Sequence, residues 1–210
     1  MKNKNNVDYT LYLCTDRGLM TTDTVEESVR LAVVGGCGVV QLREKEISSA
    51  EFYRLAVNTK KITDEAGAAL IINDRVDIAL AADADGVHVG QSDLPAAVVR
   101  QLIGPDKLLG VSVATLEQAK QAAADGADYL GVGAMYATQT KTDADIVTME
   151  ELRRIRAAVD IPIVVIGGIN KNTLGNFKEM GIDGLAVVSA VVAQADITAA
   201  AKELIQLFKE

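Results

Sequence analysis

The feature that most limits what this chain can fold into is a repeat. From Tyr9 onward a short β-branched or apolar run gives way to glycine or polar residues and then to an amphipathic helix, eight times over. Apolar runs of this length, without polar alternation, read as parallel strands buried on both faces. Strands are predicted near Leu11–Cys14, Val39–Leu42, Ala69–Ile72, Gly86–Val89, Leu108–Val111, Tyr129–Val132, Ile163–Ile166 and Leu185–Val188. Helices are predicted near Val25–Val34, Ser49–Ala66, Val76–Ala82, Ala96–Ile103, Leu116–Asp125, Met149–Ala158, Thr173–Met180 and Val191–Phe208. The helix-to-strand joins echo one another, as in Asp83-Ala84-Asp85-Gly86, Asp125-Gly126-Ala127-Asp128 and Gly181-Ile182-Asp183-Gly184, with glycine supplying a left-handed cap. Eight strand–helix units with no linker between them specify a single-domain (β/α)8 TIM barrel over residues 9–210, after a polar, frayed tail at residues 1–8. A doubly wound open sheet is the alternative. It ordinarily carries a phosphate fingerprint after its first strand, and Thr15-Asp16-Arg17-Gly18 is not one.

Composition agrees with a barrel and excludes several partners. Of the 210 residues 49% are hydrophobic, yet only 4% are aromatic and none is Trp, so the core is built from Val, Ile, Leu and Ala. A net charge of −8 without any long basic run excludes nucleic acid and anionic membranes as partners. An anionic ligand then needs a local cluster of cations or a metal ion. Cys14 and Cys37 stand in separate apolar segments without metal-ligand spacing, as two thiols in a reducing cytoplasm would. No segment reads as a signal peptide or a membrane span.

In a barrel the chemistry lies at the C-terminal strand ends, and a phosphate often lies between the loops after strands seven and eight. After strand two, Gln41, Arg43 and Lys45 share one face by alternation, while Val40 and Leu42 share the other. The apolar face suits the helix layer, so the polar set is expected at the mouth as an anion site. After strand three, Asn73 and Asp74 stand where helix caps also stand. Strand four leads to Asp93, whose alternative role is a cap before Pro95. Neighbouring strands run about 5 Å apart, so Asp74 and Asp93 are placed to share a Mg²⁺ that also bridges phosphate oxygens. His88, the only histidine, reads as structural more readily than catalytic. After strand five, Thr115 is the better helix cap, which leaves Ser112 for a ligand.

Strand six runs into a segment where Thr138, Gln139, Thr140 and Lys141 break the apolar pattern. Alternating hydroxyls followed at once by a lysine fit a loop that closes over a phosphorylated ligand, and fit a solvated loop as well. After strand seven, Gly167-Gly168 lets bare backbone N–H groups approach a phosphate. After strand eight, Val188-Ser189 opens the last helix, whose N-terminus favours an anion.

Taken in order, Gln41–Lys45, Ile72–Arg75, Val87–Asp93, Thr138–Lys141, Ile166–Ile169 and Val188–Ala190 resemble thiamine-phosphate synthase over nearly the whole chain, from Tyr9 to Ser189. The resemblance implies a Mg²⁺-dependent transferase on a TIM barrel. Hydroxymethylpyrimidine diphosphate would lose pyrophosphate, through a pyrimidine carbocation as the family is described, and a thiazole phosphate nitrogen would take its methylene carbon. It also implies roles. Gln41, Leu42, Arg43, Glu44 and Lys45 would hold the pyrimidine diphosphate with Asn73, Ser112 and Lys141, and Lys141, Arg43 and Ser112 would act catalytically. Asp74 and Asp93 would hold Mg²⁺. Thr138, Gln139 and Thr140 would meet the thiazole phosphate with Gly168, Val188 and Ser189.

The chain departs from the family where Gly133-Ala134 replaces a frequent Gly-Pro, and where Val113-Ala114 follows the strand-five serine in place of a frequent His. The rival readings are a thiazole tautomerase-like isomerase, a non-catalytic phosphometabolite-binding barrel, and a sugar-phosphate enzyme. The expected partners are phosphorylated small molecules and, at most, further copies of the same chain.

Overall fold

The computed structural model describes residues 4–137 and 146–210. The strands are β1 (Leu11–Cys14), β2 (Val39–Leu42), β3 (Ala69–Asn73), β4 (Gly86–Val89), β5 (Leu108–Val113), β6 (Tyr129–Val132), β7 (Ile163–Val165) and β8 (Gly184–Val187). They pair in parallel in sequence order, and β8 pairs with β1 to close the barrel. The helices are α1 (Val25–Val34), α2 (Ser49–Ala66), α3 (Val76–Ala81), α4 (Ala96–Ile103), α5 (Leu116–Ala124), α6 (Met149–Ala158), α7 (Ser189–Val192) and α8 (Ile197–Lys209).

Side-chain alternation along each strand divides the core in two. Val40, Leu42, Leu70, Ile72, Leu130 and their equivalents point outward and pack under the helices, while Tyr12, Val39, Ile71, Tyr129 and Val164 fill the barrel interior. Thr24, Ser48, Thr115, Thr148 and Asp196 each accept a backbone N–H of the first turn and so start α1, α2, α5, α6 and α8.

Two predicted helices differ from the observed ones. The stretch near Thr173–Met180 holds only a 3-10 turn, Leu174–Phe177. Gly175 and Asn176 are poor helix formers, and the Thr173 hydroxyl donates to Gly168 O, at 3.1 Å, instead of capping a helix. The last helix is broken at Asp196, whose carboxylate caps α8 through Ala199 N at 2.8 Å. Part of the tail expected to fray forms a 3-10 turn, Lys4–Asn6, and the Lys4 ammonium bonds Pro105 O at 2.8 Å and Asp128 at 3.0 Å.

The N-terminal ends of the strands carry a repeated lock. Asp85, Asp128 and Asp183 stand just before β4, β6 and β8. Each accepts, at 2.8 Å through a carboxylate oxygen, the N–H of Leu70, Leu109 or Ile163 on the preceding strand. Each also donates its own N–H back to the carbonyl of that same residue. A cation backs every one of them: Lys60 lies 3.6 Å from Asp85, Arg156 lies 3.3 Å from Asp183, and Arg100 bonds Asp128 directly. The echoes in the sequence are therefore clamps that set strand register as well as helix caps, with Gly126 and Gly181 in the left-handed region at φ 89° and 68°.

Candidate active site

The opposite ends of the strands surround a cavity of about 700 Å³. Gln41, Arg43 and Lys45 line it from β2 and its loop, Asn73 and Asp74 from β3, Asp93 from the loop after β4, and Ser112 from β5. Gly168, Val188 and Ser189 line the far wall. The structure thus brings together the candidates that sequence alternation aimed at the mouth. Leu42 and Glu44 do not turn their side chains to this cavity. The Leu42 side chain is fully buried in the helix-facing core, and Glu44 turns away to accept two hydrogen bonds from Arg17, at 3.1 and 3.2 Å. The alternation that turns Arg43 inward turns its two neighbours outward. Thr138, Gln139, Thr140 and Lys141 lie outside the described residues.

The capping alternatives for the aspartates do not hold. Arg75 and Pro95 hold the N-cap positions of α3 and α4, and neither helix has a side-chain cap. Asp74 instead takes a left-handed backbone, φ 60°, with its N–H donated to His88 O at 2.9 Å. A non-glycine residue in that region is uncommon, and such positions cluster at functional sites. Lys45 Nζ sits 2.5 Å from Asp74 Oδ2, and Asp93 Oδ2 accepts Gly90 N–H at 2.7 Å. Burial pushes the Asp93 carboxyl above its ordinary range, and the Asp74 charge adds to that, against the Gly90 hydrogen bond. Two carboxylates pressed together in this way suit a hard cation. Among the described residues no cluster of three or more His, Cys, Asp or Glu side chains could hold a metal ion. A cation here would take its remaining ligands from water and substrate oxygens, as Mg²⁺ does in phosphate sites.

The far wall is made of backbone. Gly167 and Gly168 are left-handed in succession, at φ 96° and 66°. A Cβ on Gly168 would lie 2.7 Å from Tyr136 Cβ, and one on Gly167 would lie 2.6 Å from Ala134 Cβ. Ser189 begins a helix immediately after β8, where first-turn N–H groups have no intrahelical acceptor. The exit from β6 is tied to this wall: Met135 N donates to Ile166 O at 2.9 Å, Tyr136 N to Gly167 O at 3.1 Å, and Val147 N to Ala134 O at 2.8 Å. The Gly133–Ala134 peptide, at the site of the first departure, is cis.

The comparisons with known proteins agree along the whole chain. Residues 11–191 match the sequence pattern of the thiamine monophosphate synthase family. A thiamine-phosphate synthase of Clostridium beijerinckii is 63% identical over 96% of each chain. One of Clostridium botulinum is 59% identical over 98% of this chain and 96% of that one. A solved structure of the thiamine phosphate pyrophosphorylase from Pyrococcus furiosus superimposes with a TM-score of 0.89 at 40% identity, covering 97% of this chain and 96% of the other.

The chain belongs to the thiamine-phosphate synthase family.

In this thiamine-phosphate synthase fold, the sequence named Gln41, His88 and Ser112 separately, but not Tyr12 and Tyr129 or the chain of hydrogen bonds that joins all five. Gln41 Nε2 donates to the Tyr12 hydroxyl at 2.7 Å, and Tyr12 and Tyr129 share a hydrogen bond of 2.8 Å. Tyr129 meets His88 Nδ1 at 3.1 Å, and His88 Nε2 meets Ser112 Oγ at 2.8 Å. All but Ser112 are buried. Burial drives both tyrosine hydroxyls far above their ordinary pKa, so they stay protonated. The two tyrosines sit in runs that read as apolar core, and only the closed barrel, which points inward side chains of β1 and β6 at each other, shows that their hydroxyls meet. Gln91 adds to the same corner, donating from Nε2 to Ser112 O at 2.7 Å.

Proposed function

We propose that this transferase joins hydroxymethylpyrimidine diphosphate to a thiazole phosphate, giving thiamine phosphate and pyrophosphate. The observation that carries the reading is the division of one cavity into a wall of charged side chains and a wall of glycine backbone. The first suits a diphosphate that gains charge as it leaves, and the second suits a phosphate monoester that must only be held. Full-length membership of the family supports the same assignment.

Arg43 and Lys45 bind the diphosphate, and Gln41, Asn73 and Ser112 orient the pyrimidine so that its methylene carbon faces the thiazole. Gly168, Val188 and Ser189, with Thr138, Gln139 and Thr140, hold the thiazole phosphate. Asp74 and Asp93 would hold Mg²⁺, which when bound would supply a hard positive charge to the leaving diphosphate. As the carbon–oxygen bond breaks, its electron pair leaves with pyrophosphate, and the ring nitrogen of the thiazole forms the new carbon–nitrogen bond with its own lone pair. No proton has to be removed, so the site needs no general base. Fixed cations at the developing negative charge stabilise the transition state more than the ground state. Lys141, in the sequence after β6, adds a further cation.

We place the reaction in the cytoplasm, where Cys14 and Cys37 stay as free buried thiols. Among the described residues no helix is long and apolar enough to cross a membrane. The test is to supply purified protein with both heterocycles and Mg²⁺ and to follow thiamine phosphate and pyrophosphate together, with a metal-free control. Thiamine phosphate formed only with the cation is expected. Thiazole isomerisation with no pyrophosphate release would point to the tautomerase chemistry instead.

A further inference from the structure

The buried chain Gln41–Tyr12–Tyr129–His88–Ser112 has a property that follows from counting its protons. Each phenol has one proton to give and stands between two neighbours. When Gln41 Nε2 donates to Tyr12, Tyr12 donates to Tyr129, and Tyr129 donates to His88 Nδ1. The imidazole proton is then on Nε2 and goes to Ser112 Oγ, which leaves the serine proton free for the cavity. Turning the Gln41 amide over reverses every link. Ser112 then spends its proton on His88 and offers only lone pairs. The two ends, both of which line the cavity, are therefore linked. Gln41 offers its carbonyl when Ser112 offers a donor, and offers its amide N–H when Ser112 offers an acceptor.

We infer that Tyr12, Tyr129 and His88 are positioning residues that force Gln41 and Ser112 to present one donor and one acceptor, and so select a ring carrying an exocyclic N–H beside a bare ring nitrogen. An aminopyrimidine has that edge, and a ring with two donors or two acceptors does not. The inference rests on the proposed synthase reading for its substrate. The packing is cut to fit this chain. A Cβ on Gly110 would lie 2.3 Å from the Tyr129 hydroxyl and 2.4 Å from His88 Nδ1, and one on Gly131 would lie 3.1 Å from His88 Cε1. The strands leave out these side chains where the links run. A buried link is also costly to interrupt, because the partner left behind has no water to turn to.

The chain has a single histidine, so its ring nitrogens can be read without assignment in ¹⁵N-histidine-labelled protein. Long-range ¹H–¹⁵N spectra of wild type are expected to show one protonated and one bare nitrogen, in one tautomer. Tyr129→Phe removes the middle hydroxyl and keeps the ring, and is expected to mix the tautomers. Its KM for the pyrimidine diphosphate should rise about tenfold, with KM for the thiazole phosphate unchanged. Its preference for the amino-bearing pyrimidine over a des-amino analogue should shrink by a similar factor. Tyr12→Phe, which separates Gln41 from the rest, should shrink the same preference and serves if Tyr129→Phe does not fold. Mixed tautomers in active wild type would overturn the inference, as would a Tyr129→Phe or Tyr12→Phe enzyme that kept full discrimination. A wild type that makes no thiamine phosphate would count against the synthase reading, while the tautomer spectra would still decide the hydrogen-bond chain.

Discussion

Aspartates stand at both ends of this barrel, and the two ends treat them in opposite ways. At the N-terminal ends of the strands Asp85, Asp128 and Asp183 each hold a backbone N–H of the neighbouring strand and each has a cation beside it. At the C-terminal ends Asp74 and Asp93 press on one another, with Lys45 bonded to Asp74 and, for Asp93, the Gly90 N–H and the weaker pull of the Lys45 charge. The first arrangement lowers the energy of the fold. The second leaves Asp93 with a cost, from burial and from the Asp74 charge, that a further cation would relieve. The same residue type therefore stabilises one rim and leaves the other ready for a ligand, as expected where one barrel face serves stability and the other chemistry.

Substitutions at the two ends should separate cleanly. Asp93→Ala is expected to cut turnover by roughly 10²–10³-fold, with the thermal midpoint unchanged or raised in metal-free buffer. A steady-state assay beside a melting curve checks this, and near-normal turnover would remove Asp93 from the cation site. Asp128→Ala should do the reverse. It takes the carboxylate from Arg100, which keeps its bonds to the carbonyls of Gly104, Lys107 and Gly126, and frees Leu109 N–H, so it should cost about 3 kcal/mol and about 10 °C in Tm, while kcat per folded molecule is unchanged. A loss of kcat at full folding would mean that the two ends are coupled.

Gly168→Ala tests the backbone wall. A methyl group there meets Tyr136 and a left-handed φ, so KM for the thiazole phosphate should rise about tenfold and KM for the pyrimidine diphosphate should hold. Equal changes in both would remove the contrast between the walls.

The smallest effect is one of pH. The Asp93 carboxyl binds its proton more tightly in the folded protein than in the unfolded chain, where 3.8 is the ordinary value. The metal-free protein is therefore free of the penalty below that value and acquires it as pH rises through the raised folded pKa. Asp93→Asn should melt slightly higher than wild type at pH 7, lose that gain in acid, and lose it again when Mg²⁺ stabilises wild type alone. A gain that persists in acid would contradict the sign.

Legibility followed the range of the interactions. The strand pattern, the single barrel and the inward set of Gln41, Arg43 and Lys45 were readable because alternation and helix periodicity are local. The Asp74 and Asp93 meeting was readable because consecutive strands are neighbours. The break at Asp196 was not, since Ala193-Gln194-Ala195 continues a helical pattern and the capping carboxylate looks like any surface acid. The Tyr12–Tyr129 bond was hidden for a different reason: β1 and β6 do not pair with each other, so no local rule brings their side chains together. The clamps were half visible, because the echoes announced a repeated turn and the glycines drew the attention that belonged to the aspartates.

Gly110 carries a lesson for anyone who would harden this molecule. A glycine inside a strand invites replacement by alanine, which ordinarily restricts the unfolded chain and strengthens the strand. Here the vacant volume of one methyl group is where a phenol and an imidazole touch, so the customary improvement would wedge them apart. Thermostabilised variants selected by melting alone should be screened at this position for what they have lost in choosing between substrates.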